Sequence, residues 1–250
     1  MELRELLDEL RGNVLRDVST VVNGDPDELW SDATLVRYLR DAEEKFVAGT
    51  LCLRDSLTPA VSTITLVSGQ ADYVLDKRVI DIYNAQFIGA DNNRTLLTPS
   101  SYGTRAGSLG ELTPNVAMCD PQETGQPRLY YTDRDTGMVG FYPIPGDDQV
   151  PYTIRLQVAR RPLNPLNAND LDASPEIPDE YHLDLVEWAC WRALRNHDAD
   201  IDGDPANIAI VMARASAHKK RFEEAIAECK RKMKYMTKQL VQFGPHANWS

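Results

Sequence analysis

The hydrophobic period of this 250-residue chain changes twice along its length, and that switch limits the fold more than any single motif. Leu3, Leu6, Leu7, Leu10, Val14 and Val18 recur at intervals of three and four, the signature of an amphipathic helix. Asn23-Gly24-Asp25-Pro26 ends that segment as a turn. A second helix is expected after Trp30, where Ser31 or Asp32 can accept the unpaired N–H groups of its first turn. Its stripe is Leu35, Leu39, Ala42, Phe46, Gly49 and Leu53. Two helices joined by a short turn are expected to pack antiparallel.

From about Ser62 the period becomes two. The runs 63–67, 72–75 and 80–88 are rich in β-branched and aromatic residues, so they read as strands, and Arg94 to Thr98 reads as a return strand after an Asn-Asn turn. Between Ser100 and Gln126 the periodicity is weak, which predicts a long loop of the kind that usually carries function or motion. Leu129–Thr132 and Met138–Tyr142 flank Asp133-Arg134-Asp135-Thr136-Gly137 as a hairpin, and Tyr152 to Ala159 alternates most regularly of all. An extended Asn- and Pro-rich connection follows.

After Pro178 the three-four spacing returns. Tyr181, Leu185, Trp188 and Trp191 mark one helix, with Asp179 and Glu180 placed favourably for its dipole. A last helix carries Ile208, Val211, Ala215, His218, Phe222, Ile226, Cys229, Met233, Met236 and Leu240 on one stripe. At 1.5 Å per residue it would run roughly 50 Å, more than one domain of this size needs, so part of it is expected to pack on another subunit. The fold class expected is α+β: a helical bundle, made of an N-terminal helix pair plus two C-terminal helices, with an inserted antiparallel β-sheet domain. The boundaries expected are 1–58 for the N-terminal helices, 59–165 for the β domain with its loop 100–126, 166–240 for the C-terminal helices and 241–250 for a flexible tail.

Composition excludes several functions. The formal charge is −11, yet Arg214 to Lys238 holds nine Lys or Arg against three Glu, a local +6 that leaves −17 for the rest. Such a bulk charge repels a phosphate backbone, which argues against duplex DNA binding by the protein as a whole. The basic helix is either a solvated face answering the acidic body or a contact for an acidic partner. No window approaches the roughly 18 apolar residues of a membrane span, and MELRELLDELRGNVL lacks the apolar core of a secretory signal, so a cytoplasmic setting is expected.

Catalytic and metal patterns also fail. Cys52, Cys119, Cys190 and Cys229 lie far apart without zinc spacing; free buried thiols are expected, although counting alone leaves two disulfides open. Asp198 to Gly203 matches the opening of an EF-hand loop, but Ala209 stands where its bidentate Glu should be and Pro205 interrupts it. His182, His197, His218 and His246 show no ligand spacing. There is no nucleophile elbow, phosphate loop or dinucleotide fingerprint. Glu176 with Asp179 or Glu180 could pass for an acid–base pair, but capping and the helix dipole explain it. Trp188 and Trp191, spaced along one helix, read as packing residues. No cofactor, no metal and no enzymatic activity are expected.

The segment WSDATLVRYLRDAEEKF, the element VSGQADYVL, then P-x-x-Y-Y, G-x-x-x-x-x-P-x-P, a strand ending Arg160-Arg161-Pro162 and the Ile177-Pro178-Asp179-Glu180-Tyr181 helix start together resemble the head-to-tail adaptor (connector, or tail tubular type) proteins of tailed bacteriophages. The matches run from about Trp30 to Leu194. The resemblance implies a structural virion protein: a homo-oligomeric ring, in such families about twelve subunits, below the portal protein and against a tail nozzle or other tail protein. DNA would pass its lumen without sequence-specific binding. The implied place is the virion neck, with assembly in the host cytoplasm. Portal or subunit contacts are expected at Lys219, Lys220, Arg221, Phe222, Lys230 and Arg231 on the last helix, and at Phe243, His246 and Trp249 on an uncharged tail suited to docking in a groove. Two other classes compete: a nucleic-acid-binding module using the basic helix, and a tail-associated hydrolase needing an acidic pair at a cleft.

Overall fold

The computed structural model describes residues 1–15, 21–22, 25–26, 29–102, 122–149, 151–196 and 205–242. The turn at Asn23-Gly24, most of loop 100–126, the Asp198–Gly203 motif, His197, Cys119 and the tail with Phe243, His246 and Trp249 lie outside them. The chain is mixed α+β and divides into two compact units, Met1–Leu53 with Pro162–Ser250, and Arg54–Arg161.

In the first unit, helix α1 (Leu3–Asp8) is followed by a π-helical stretch, Glu9–Leu15, rather than by the continuous α-helix that the spacing predicts. Gly12 lies in that stretch and favours an α-helix least of the residues there, and the wider turn still buries Leu10 below Leu3, Leu6 and Leu7. The orphan N–H groups of the first turn are met from afar: Leu3 N donates to Ala173 O at 2.8 Å and Arg4 N to Leu171 O at 2.9 Å. Two short strands, β1 (Val21–Val22) and β2 (Asp25–Pro26), pair antiparallel. Helix α2 (Asp32–Thr50) starts where expected: Ser31 Oγ accepts from Thr34 N at 3.3 Å, and Arg11 grips Asp32 at 2.7 Å. It ends three residues earlier than its stripe suggests, at Leu51 in the left-handed region.

Helix α4 (His182–Asn196), entered through a 3-10 turn at Asp179–Tyr181, and helix α5 (Pro205–Gln242) pack with α2 in this unit. Phe46, Trp188 and Phe222 meet at their centre, with Phe222 centroids 6.1 Å from Phe46 and 5.0 Å from Trp188. Gly49 lets α5 approach closely, since a Cβ there would sit 3.1 Å from Ile226. Cys52, Cys190 and Cys229 are free thiols. No helix among the described residues is long and apolar enough to cross a membrane.

The second unit holds strands β3 (Arg54–Asp55), β4 (Thr63–Thr65), β5 (Asp72–Val74), β6 (Val79–Ile88), β7 (Arg94–Leu96), β8 (Thr98–Pro99), β9 (Leu129–Tyr131), β10 (Met138–Tyr142) and β11 (Thr153–Arg160), with a short helix α3 (Pro59–Ser62). They form a five-stranded sheet in the order β3-β11-β6-β7, with β4 also on β11, and a four-stranded sheet in the order β5-β10-β9-β8. Among these strands the pairings are antiparallel except β8 with β9, a short parallel pair that the long 100–128 connection permits. Arg54 and Asp55 belong with this unit because they pair with β11. Asp55 then fixes the next turn, accepting from Leu57 N, Thr58 N, Thr58 Oγ1 and Arg160 Nε within 2.9 Å. Burial opposes ionisation there, but these bonds outweigh it and hold the carboxyl well below the usual range.

The strand alternation decides what each sheet face shows. Ile154, Leu156 and Val158 on β11 are buried together with Ala85 and Phe87 on β6, whereas Arg155 and Gln157 emerge on the opposite face beside Asn84 and Gln86.

Candidate functional site

The basic helix is the strongest charge feature, and its own period sorts it into two faces. Ala215, His218, Phe222, Ala225 and Cys229 are buried, three or four residues apart. Lys219, Lys220, Arg221, Lys230 and Arg231 stand on the remaining surface, with Lys219 the least exposed of them. Phe222, expected at a contact, is 1% exposed and packs against Phe46 and Trp188 within its own unit.

Much of the positive charge is answered within the unit. Lys219 pairs with Glu223 at 3.5 Å and lies over the Trp191 ring; Lys220 pairs with Glu224 at 3.7 Å. Arg221 reaches Glu187 at 3.4 Å, and that carboxylate also binds His218 Nδ1 at 2.5 Å. Burial pushes Glu187 up, but His218 and Arg221 more than compensate, and its pKa ends below the ordinary value. Lys232 bridges Glu180 at 3.1 Å and Glu228 at 3.0 Å, which raises its own pKa. The exposed pairs among these add little stability, so the arrangement is a neutralised surface rather than a grip on the fold. Lys230, Arg231 and Lys234 are exposed, and Arg231 lies near enough to Glu228 to help lower its pKa.

The acid pair of the sequence, Glu176 with Asp179 or Glu180, is not an acid–base couple. Glu176 Oε1 accepts from Asn164 N at 2.7 Å, tying the ends of the connection together. Glu180 binds Lys232. No side chain caps the turn at Asp179, so capping does not explain Glu176 either. Among the described residues no group of three or more His, Cys, Asp or Glu could hold a metal ion.

The group that sequence reasoning missed is Glu43. It lies on the buried stripe of α2 between Leu39 and Phe46, and a carboxylate at such a position was the available signal. It is 0% exposed; Oε1 accepts from Glu176 N at 2.7 Å, while Oε2 has no partner among the described residues. Burial above all, with Glu176 and Glu44 nearby, raises its pKa to about 7 against the lowering effect of the Glu176 N–H and Arg40. A carboxyl raised in the fold favours the protonated native state. The stabilisation is complete below the unfolded value near 4.5 and is lost as pH rises to about 7. Asp184, raised to about 6 by burial and by Glu187 and Glu228, acts in the same sense. Urea unfolding at pH 5 and pH 8 should therefore show a loss of stability at the higher pH that is smaller by about 3 kcal/mol in Glu43→Gln. An unchanged difference would show that Glu43 titrates normally.

Residues 1–242 match the family model described as SU10 adaptor protein. No curated protein matches the chain.

Proposed function

The chain belongs to the SU10 adaptor protein family, a family of phage head-to-tail adaptors, and from that premise we propose that it forms a closed ring of about twelve copies below the portal, joins capsid to tail and continues the DNA channel. The observation that carries the reading is the extent of the family match, which covers both compact units. The family is structural rather than enzymatic. The ring would sit in the virion neck, assembled in the host cytoplasm, with the portal on one side and a tail protein on the other.

Three physical features support it. A chain of charge −11 repels a phosphate backbone, which suits a lumen through which DNA must slide. The basic face of α5 is largely answered by Glu180, Glu187, Glu223, Glu224 and Glu228, which counts against its use as a nucleic-acid clamp. Helix α5, 38 residues long, spans about 57 Å and offers length for contact with a neighbouring copy. The portal or subunit contacts we assign are Lys219, Lys220, Arg221, Lys230 and Arg231, with Phe243, His246 and Trp249 of the segment 241–250 as a docking arm.

Negative-stain images of the chain mixed with the portal of its virus should show an added tier of density below the portal. Portal particles without that tier, at saturating chain, would contradict the reading. Deleting Phe243 to Ser250 should abolish attachment while far-UV circular dichroism and melting stay as in the intact chain. Undiminished attachment would dismiss the arm.

A further inference from the structure

The open face of the five-stranded sheet carries a feature that the basic helix does not. A cavity of about 250 Å³ on this face is lined by Arg94 and Arg155, by the amides Asn84, Gln86 and Gln157, and by Leu57. The strand register creates it. Arg155 lies opposite Gln86 and Gln157 opposite Asn84 across β11 and β6, while β7 brings Arg94 alongside through Ile88. Asn84 Nδ2 donates to Gln157 Oε1 at 2.7 Å, which holds the floor of the cavity in one arrangement. Neither arginine meets a carboxylate among the described residues, unlike Arg54's neighbour Asp55 with Arg160, or Arg78 with Asp76.

Two exposed leucines lie on the same face, Leu57 in the lining and Leu96 across from Gln86. Leu57 is 83% exposed and Leu96, opposite Gln86 on β7, is 64% exposed. Leu57 is not a loose side chain on a free loop, because its N–H is held by Asp55 at 2.8 Å. Two uncommitted guanidinium groups beside exposed leucines have the composition of a protein contact, with bidentate donors for carboxylates at the centre. A DNA backbone would gain nothing from the leucines and would face the repulsion of the acidic chain.

The same unit supplies the complementary charge. Asp147 and Asp148 are adjacent and exposed on the 3-10 turn Asp147–Gln149, and Asp147 meets only the Ser68 hydroxyl, at 2.5 Å, among the described residues. The consecutive acids Glu223 and Glu224 differ, since Lys219 and Lys220 already answer them. We propose that the Arg94–Arg155 cavity receives the Asp147–Asp148 turn of a second copy of this chain. Because cavity and turn are different surfaces, the contact is heterologous: each copy gives a turn to one neighbour and takes one from the other, and repetition closes a ring. The contact rests on the ring reading above and assigns it a surface.

The test uses the full chain with four variants, R94E/R155E, R94Q/R155Q, D147K/D148K and the combination of R94E/R155E with D147K/D148K, each checked by circular dichroism and followed by mass photometry over a concentration series. Either charge reversal should raise the concentration for half-assembly at least tenfold with an unchanged spectrum, R94Q/R155Q should raise it less, and the combination should return to within about threefold of the wild-type value. If R94E/R155E misfolds, D147K/D148K on its exposed turn decides alone. Rings that form normally from either reversal, or a combination that stays apart, would overturn the contact while leaving the ring reading intact. So would intact rings in R94E/R155E together with loss of wild-type affinity for a short DNA duplex, which would assign the face to phosphate. A wild-type chain that never assembles, alone or on the portal, would remove the ring reading and this contact with it.

Discussion

Gly140→Ala should destabilise the β unit by about 2.5 to 4 kcal/mol, and Tyr131 is the reason. Gly140 sits on β10 directly opposite Tyr131 of β9, and a Cβ added there would lie 2.0 Å from Tyr131 Cζ. The ring covers the glycine: it is 3% exposed, tilts against Tyr102 at 5.1 Å and donates its hydroxyl to Asp72 Oδ1 at 3.0 Å. Asp72 in turn binds Arg134 at 2.6 Å, so a displaced ring disturbs a connected set. Expelling the ring forfeits about 1.5–3 kcal/mol of burial and about 1 kcal/mol of hydrogen bonding. In a Tyr131→Ala background the clash has no source, and Gly140→Ala should then cost under about 0.5 kcal/mol, since alanine loses less backbone freedom on folding. Equal costs in both backgrounds, from urea unfolding, would show that the ring does not fill that space.

Phe222→Ala should cost the helical unit about 3–5 kcal/mol. The ring touches Phe46 on α2 and Trp188 on α4, so its loss opens a cavity shared by three helices. The walls have little freedom to close it. Trp188 is anchored by Nε1 donating to Asp41 Oδ2 at 2.8 Å and packs tilted against Trp191 at 4.4 Å, and Gly49 against Ile226 already brings α2 and α5 close together. The loss of the α-helical circular dichroism signal should move to correspondingly lower denaturant. A shift equivalent to less than about 1 kcal/mol would mean that α5 is not packed through this residue.

These two residues show where a sequence is legible and where it is not. The alternation of Tyr152 to Ala159 announces β11 and its buried face, and the turn at Asp133–Gly137 announces the β9–β10 hairpin, because both are short-range patterns. The Tyr131 ring lying on Gly140 depends on cross-strand register, which the hairpin turn sets but single residues do not reveal. Two-residue strands such as β3 and β8 carry no period at all; the partner of β3 lies about 100 residues away in sequence and that of β8 about 30. Phe222 belongs to the stripe of α5 and is legible as apolar; that it faces α2 and α4 rather than a neighbour is a matter of packing.

The candidate surfaces divide in the same way. Lys219, Lys220, Arg221, Lys230 and Arg231 are visible as a charge cluster, but Glu187, which answers Arg221, and Glu180, which answers the neighbouring Lys232, are 34 and 52 residues away from them in sequence. Arg155 and Gln157 read as the polar alternates of a strand, and only the register of β6 and β7 sets them beside Arg94. Glu43 is a charged interruption of the apolar stripe of α2, a signal that local rules can read.

Native mass measurement decides whether this chain works as a ring on a portal. The 28.1 kDa chain, alone or released from its portal complex, should give a closed species of about 337 kDa, the mass of twelve copies. A single species at 28.1 kDa at every concentration, with no addition to the portal's own mass, would contradict it.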